Sequence, residues 1–300
     1  NIIASGKADL VAMGRALLAD PFLPAKLAEG RDDEILTCIG CNEGCTGHTG
    51  KLLDITCAIN PRAGYEGKYP LDVKADKALK VAVVGAGPAG LQAALTAAQR
   101  GHSVTLFERG EDIGGLLHPA SRPPFKDSLM ELVRYFRHEL DALGVNIRCG
   151  VTVTGQLLQA QAFDMTLLAT GSRPVIPRFA AELPNMTTAE HILLEAIKPG
   201  HRVLIIGGGM IGCELADFLG ERGHAVTILE MRPEVAQDME WRARHTLMPR
   251  LERYGVTLLT GMEVMETANT GRIRIRDAYG VEEWLEPFDT TAISVAMRAT

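Results

Sequence analysis

The 300-residue sequence has no long hydrophobic run. Its most apolar stretches, "VAVVGAGPAG" and "VLIIGGGMIG", are short and interrupted by glycine. Both fall well below the roughly 18 residues that cross a bilayer, so no membrane partner is expected. A basic excess is also missing: 31 Lys and Arg stand against 37 Asp and Glu, for a net charge of −6. That argues against nucleic acid or an anionic membrane surface as partner. No basic stretch near the start leads into a long apolar run, so no signal peptide is expected. The expected location is the cytoplasm, where thiols stay reduced and structural disulfides are rare. Cysteine is scarce too, with only six, yet four of them lie within residues 38–57.

Those four, Cys38, Cys41, Cys45 and Cys57, are spaced C-x2-C-x3-C-x11-C in "CIGCNEGCTGHTGKLLDITC". Disulfides fit poorly with a reducing compartment. Zinc sites usually show two separated C-x2–4-C pairs or Cys/His mixtures. Here three thiols crowd together and the fourth follows a loop, a wrap that can also supply the four thiolates of an iron–sulfur cubane. From spacing alone, cluster and zinc both stay open. His48, inside the loop, reads as a solvated histidine. Cys149 closes the strand-like "VNIRC", Cys213 lies early in a helix, and both read as packing residues.

A second pattern follows. Residues 80–109 read "KVAVVGAGPAGLQAALTAAQRGHSVTLFER". A strand at 81–84 runs into Gly85, Gly87 and Gly90, a helix extends to about Arg100, and a strand at 104–107 ends at Glu108. This is a dinucleotide fingerprint in its βαβ context. Gly85 permits the tight turn, Gly87 lets backbone approach a pyrophosphate, and Gly90 lets helix and strand pack closely. Glu108 is placed to bind ribose hydroxyls. The pattern then repeats without a gap, 122 residues on: Gly207, Gly209, Gly212 and Glu230 in "RVLIIGGGMIGCELADFLGERGHAVTILEM". A further pair, "FDMTLLATGSRP" and "FDTTAISVAMRA", lies downstream. The chain is therefore expected to be α/β, with two Rossmann-like modules of one build. "SRPPFKDSLMELVRYFRHEL" reads as a proline-started amphipathic helix with Leu129, Leu132, Tyr135 and Phe136 on its core face.

"LLATGSRP" resembles the A-T-G segment of glutathione-reductase-like flavoproteins with two dinucleotide domains. In that group the first module binds FAD and the second NAD(P)H. The resemblance implies Gly85, Gly87, Gly90, Glu108, Arg109 and, from "EDIGG", Gly115 as FAD residues, and Gly207, Gly209, Gly212 and Glu230 as NAD(P)H residues. At the other end, "ADLVAMGRALLADP" resembles the last strand and phosphate turn of an old-yellow-enzyme-type (β/α)8 barrel. There, Gly14 and Arg15 would hold an FMN phosphate.

The order of barrel strand, four cysteines, FAD module and NAD(P)H module resembles the 2,4-dienoyl-CoA reductase family. Its relatives include enoate reductases and trimethylamine dehydrogenase. The resemblance covers the whole chain, including "CAINPRAGYE" after Cys57. It implies a [4Fe-4S] cluster on Cys38, Cys41, Cys45 and Cys57. It also implies electron flow from NAD(P)H through FAD and the cluster to FMN, and reduction of an activated C=C bond in a small unsaturated acyl substrate. The implied division is 1–32, end of the FMN barrel; 33–76, cluster segment and linker; 77–198, first part of the FAD domain; 199–300, NAD(P)H domain. On this reading the chain is a fragment at both ends, without the catalytic acid and substrate pocket. Glu230 points to NADH over NADPH. Three alternatives remain: an amine dehydrogenase or N-demethylase with reversed flow and ADP in the first module; a non-catalytic nucleotide-binding module with structural zinc; and a glutamate-synthase-like electron-input subunit, which would lack the barrel remnant at 9–22.

Overall fold

The computed structural model describes residues 2–300. The chain divides into two interleaved compact units: residues up to Ile113 with Ser128–Leu168, and Gly114–Asp127 with Ala169–Thr300.

The first unit begins with short helices, α1 (Arg15–Ala19) and α2 (Leu23–Ala28), then a loop holding α3 (Thr46–Thr49). The strand expected before Gly14 does not form: residues 10–13 carry no ladder, and Leu10 is 87% exposed. A strand exists only through its pairing, and this stretch has no partner strand among the described residues. The buried carboxylate of Asp20 instead organises the segment. It accepts the N–H of Phe22 (3.0 Å) and of Leu36 (3.0 Å), and pairs with Lys26 at 2.7 Å.

A four-stranded parallel sheet follows, in the order β3-β2-β1-β4. Its strands are β1 (Lys80–Val84), β2 (Ser103–Phe107), β3 (Asn146–Arg148) and β4 (Met165–Leu168). α4 (Pro88–Gln99) joins β1 to β2, and α6 (Ser128–Ala142) precedes β3. α6 starts at Ser128, after the expected prolines, and buries Leu132, Val133, Phe136 and Leu140, while Leu129 and Tyr135 are half-buried. α7 (Gly155–Gln161) leads into β4.

The second unit takes in α5 (Leu117–Ala120), the antiparallel pair β5 (Ser172–Pro174) with β14 (Met297–Ala299), and a five-stranded parallel sheet ordered β6-β13-β7-β8-β9. That sheet comprises β6 (Met186–Thr188), β7 (Arg202–Ile206), β8 (Ala225–Glu230), β9 (Thr257–Thr260) and β13 (Thr290–Ile293). β7 shows the period of two expected of a strand buried on both faces. Val203 and Ile205 enter the core formed with α8 (Ala189–Leu193), α9 (Met210–Glu221) and α10 (Trp241–Arg253). Leu204 and Ile206 enter the opposite core, beneath an antiparallel sheet of β10 (Glu263–Thr267), β11 (Ile273–Arg276) and β12 (Glu282–Leu285). No helix among the described residues is long and apolar enough to cross a membrane.

The sequence repeat is a repeat of structure. β1 pairs β2 with Lys80 opposite Ser103, and β7 pairs β8 with Arg202 opposite Ala225. The N–H of Lys80 donates to Asp164 and that of Arg202 to Asp289, each at 2.7 Å. Even the ring contacts recur, Lys80 over Phe163 and Arg202 over Phe288.

One charge sits awkwardly in the second core. Asp217 on α9 is 2% exposed, is bonded by Arg250 at 2.5 Å, and its other oxygen has no partner among the described residues. Burial, set against the attraction of Arg250, raises its pKa to about 6 from 3.8. A raised folded-state pKa means that the proton favours folding, so this stability is complete below the unfolded value and is lost as pH rises through the folded one. In urea unfolding, wild type is therefore expected to lose stability relative to Asp217→Asn between about pH 4 and pH 6, with a flat difference above that window.

Candidate functional site

Each module builds its turn from the same three parts. A glycine ends the first strand with positive φ: +101° at Gly85 and +107° at Gly207. Only glycine takes this conformation freely, and it folds the chain back over the strand ends. The N–H of Gly85 donates to the Phe107 carbonyl (2.8 Å), and that of Gly207 to the Leu229 carbonyl (2.9 Å). A carboxylate then fastens the turn. Glu108 accepts the N–H of Ala86 (2.7 Å) and of Gly110 (2.8 Å); Glu230 accepts that of Gly208 (2.6 Å) and of Arg232 (2.8 Å). These acids, expected as ribose ligands, are thus also structural pins. Each carboxylate oxygen keeps a further lone pair for a hydroxyl.

The other glycines differ in kind. A Cβ on Gly212 would collide with the Gly207 carbonyl oxygen, so Gly212 lets α9 pack against the turn. A Cβ on Gly87 would meet nothing within 4 Å. The protein does not require glycine at 87 for packing; the open space lies at the start of α4, where helix N–H groups favour an anion. Gly90 is buried in the first turn of α4. Arg109 is exposed, and Gly115, with φ +53°, begins the stretch that belongs to the second unit.

In the second unit a cavity of about 790 Å³ opens over the glycine turn, lined by Gly207, Gly209, Met210, Glu230, Arg232 and Asp238 among others. Its size suits a nucleotide. Leu116, Pro119 and Pro123 form an apolar wall on the 114–127 stretch. That stretch is held by Lys126–Glu214 (2.6 Å), by Arg122–Glu195 (2.8 Å) and by Phe125 beneath Arg250 (4.4 Å). Asp238 was not singled out from the sequence; only the fold brings it to the turn.

The four clustered cysteines are half-buried and free. Burial raises the Cys41 pKa, and the charges of Cys57 and Cys45 push it the same way. Gly44 packs against Thr56, and the Thr56 N–H bonds the Gly44 carbonyl at 2.7 Å, which draws the Cys57 arm against the first three. The Gly40 N–H donates to Cys38 Sγ at 3.4 Å. The donor chemistry, four thiols on one pinned loop, fits a thiolate-ligated metal group. The side chains themselves do not converge: among the described residues no three Cys, His, Asp or Glu are drawn together as a metal site. Final closure of such sites commonly comes from the metal itself. His48 lies in α3, where its Nδ1 contacts the Asp54 carbonyl at 2.8 Å. Gly14 precedes α1, and the exposed Arg15 donates to the Asn42 side chain, between Cys41 and Glu43, at 2.8 Å.

Residues 79–295 match the family model described as pyridine nucleotide-disulphide oxidoreductase. The chain belongs to that family. Membership makes it an oxidoreductase domain that binds FAD and NAD(P)H. An NADH oxidase of Thermoanaerobacter brockii is 43% identical over 277 residues, 90% of this chain and 42% of the relative. A cinnamate reductase of Clostridium sporogenes is 41% identical over 237 residues, 79% of this chain and 35% of the relative. A solved 2-naphthoyl-CoA reductase superposes with a TM-score of 0.93 at 31% identity, over 99% of this chain and 45% of that one. The chain thus spans less than half the length of these relatives. They place it with flavoproteins of the 2,4-dienoyl-CoA reductase type, as their pyridine nucleotide-disulphide oxidoreductase part.

The contrast between the two kinds of glycine is testable. Gly212→Ala is expected to cost about 3 kcal/mol by overpacking, read as a lowered melting temperature. Gly87→Val is expected to keep wild-type melting in the nucleotide-free protein yet lose one tightly bound dinucleotide, read by extraction and chromatography. Equal destabilisation by both would refute the distinction.

Proposed function

We propose that this chain is the electron-input part of an NAD(P)H-dependent flavin and iron–sulfur reductase. Electrons would pass from NAD(P)H to FAD, on to a [4Fe-4S] cluster and then to FMN, to reduce an activated C=C bond in a small unsaturated acyl compound. The observation that carries the proposal is the presence on one chain of two glutamate-pinned glycine turns and a four-thiol loop. The names of the cinnamate and naphthoyl-CoA reductases support the substrate class.

Each segment has its own task. In the first module, the turn at Gly85, Gly87 and Gly90 seats the FAD pyrophosphate, and Glu108 and Arg109 complete that site. In the second module, Gly207, Gly209 and Gly212 seat NAD(P)H. Glu230 accepts from the ribose hydroxyls and repels a 2′-phosphate, so NADH is the expected donor. Cys38, Cys41, Cys45 and Cys57 ligate the cluster, which when bound passes single electrons between the two flavins. Gly14 and Arg15 hold the FMN phosphate, and the Arg15–Asn42 bond joins that site to the cysteine loop. The corresponding division of the chain is 1–32, 33–76, 77–198 and 199–300.

The test separates the two halves of the reaction. In the full-length protein, Cys41→Ala leaves the cluster one thiolate short, while both dinucleotide modules keep their folds. NADH-dependent dye reduction is expected to survive and NADH-dependent enoate reduction to fall by about 100-fold or more, with iron dropping from about four per chain. Loss of both activities in a folded, FAD-loaded variant, or of neither, would contradict the proposal. A wild type holding one zinc and no iron would contradict it as well. A higher kcat/KM with NADPH than with NADH would overturn the donor assignment.

A further inference from the structure

The two modules differ at one point that neither the glycine pattern nor the family explains. At the start of α4 the first helical residue is Pro88, which has no N–H, and a Cβ on Gly87 would meet nothing within 4 Å. At the start of α9 the corresponding residue is Met210, and its N–H is taken. Asp238, 28 residues further along, accepts it through Oδ1 at 2.8 Å. The other carboxylate oxygen lies 3.1 Å from where a Gly209 Cβ would stand. Asp238 also lines the 790 Å³ cavity. A full negative charge therefore sits at the helix end where the proposed function seats a diphosphate.

This carboxylate is delivered by a fixed loop. Val235 and Ala236 are buried, and the Ala236 N–H donates to the Gly208 carbonyl at 2.7 Å. Ala236 takes a left-handed φ of +53°, which turns the following residues back towards α9. Val235 packs directly over Gly208, leaving no room there for a Cβ. Arg244 holds the loop from outside, through the Val235 carbonyl (3.1 Å) and Glu234 (2.8 Å). With the backbone so anchored, only rotation of its own side chain takes the Asp238 carboxylate away from the turn.

We propose that Asp238 is an affinity-setting residue of the second module. Its carboxylate occupies part of the diphosphate seat and opposes the incoming nucleotide through like charge. This inference rests on the reading of that module as the NAD(P)H site. When a dinucleotide enters, the helix N–H groups at Ile211 and Gly212 remain as donors for the phosphates, since the first turn of a helix leaves them free. The carboxylate then either stays beside the phosphates at an electrostatic cost or swings away and surrenders the bond to Met210. Both routes weaken binding. The device would keep the nucleotide exchanging rapidly, as a module that must release oxidised nucleotide in every turnover requires. The first module, with no such carboxylate against Gly87 among the described residues, is free to hold its dinucleotide permanently.

The test uses the full-length, flavin-loaded protein and two probes: ADP-ribose, which carries the diphosphate, and adenosine, which does not. Asp238→Asn keeps an oxygen to accept from Met210 and removes only the charge. Asp238→Ala removes the charge and the cap together. Both variants are expected to bind ADP-ribose about tenfold more tightly than wild type at low ionic strength, the effect of one nearby like charge at a solvated site. The gain should shrink as salt is added, and adenosine affinity should not change. A purely structural cap predicts no change in ADP-ribose affinity for the Asn variant and no salt dependence in the difference; that outcome overturns the proposal. Weaker ADP-ribose binding in both variants overturns it too, by making Asp238 a ligand of the nucleotide. If neither wild type nor variants bind ADP-ribose while the flavin remains bound, the NAD(P)H assignment itself is wrong and the inference falls with it.

Discussion

A carboxylate fastened across a glycine turn is the constraint on which the rest of this structure depends. In each module the turn must hold backbone N–H groups outward, toward an anion, against their tendency to find partners within the protein. Glu108 and Glu230 resolve that conflict by taking one N–H from the turn and one from the segment after the second strand. The bonds tie the loop between β1 and α4, or between β7 and α9, to the end of the neighbouring strand. The remaining first-turn donors then stand preorganised, so little ordering is left to be done when a phosphate arrives. A charge-assisted bond to a carboxylate is also stronger than a neutral one, which suits a turn that must not move.

From this shared plan the modules diverge by what covers them. The second has a sheet enclosed on both faces, with every residue of β13 buried. In the first, the equivalent β4 leaves Met165 48% and Leu168 74% exposed. The cavity of the second module carries five carboxylates, on Glu190, Glu214, Glu230, Asp238 and Glu263, against the guanidinium of Arg232. Two of these carboxylates are already paired, Glu214 with Lys126 and Glu263 with Arg276.

Features set by local sterics were legible in the sequence. Gly85 and Gly207 are glycines because the φ there is positive; the strands that lead into them, KVAVV and RVLII, are almost wholly apolar, and the 122-residue repeat survives to the level of single hydrogen bonds. The core face of α6 was partly legible: Leu132 and Phe136 are buried as expected, while Val133 and Leu140 join them and Leu129 and Tyr135 are only half-covered. Features that depend on distant partners were not legible. Asp238 meets Met210 across 28 residues, and Arg15 meets Asn42 across 27. Nothing in the spacing of either pair marks it. Nor was it legible that residues 114–127 join the second unit through Lys126, Arg122 and Phe125. The stretch before Gly14 has a strand's composition and no strand's ladder, because composition proposes a strand and only a neighbour makes one.

The central claim is that the two pinned turns hold an electron donor and its first acceptor. Anaerobic rapid mixing of the full-length, flavin-loaded protein with NADH, followed at the flavin absorbance band, tests this most directly. The account predicts that NADH bleaches the flavin in a single exponential whose rate saturates with NADH concentration. Saturable binding of NADH that leaves the flavin fully oxidised would contradict it.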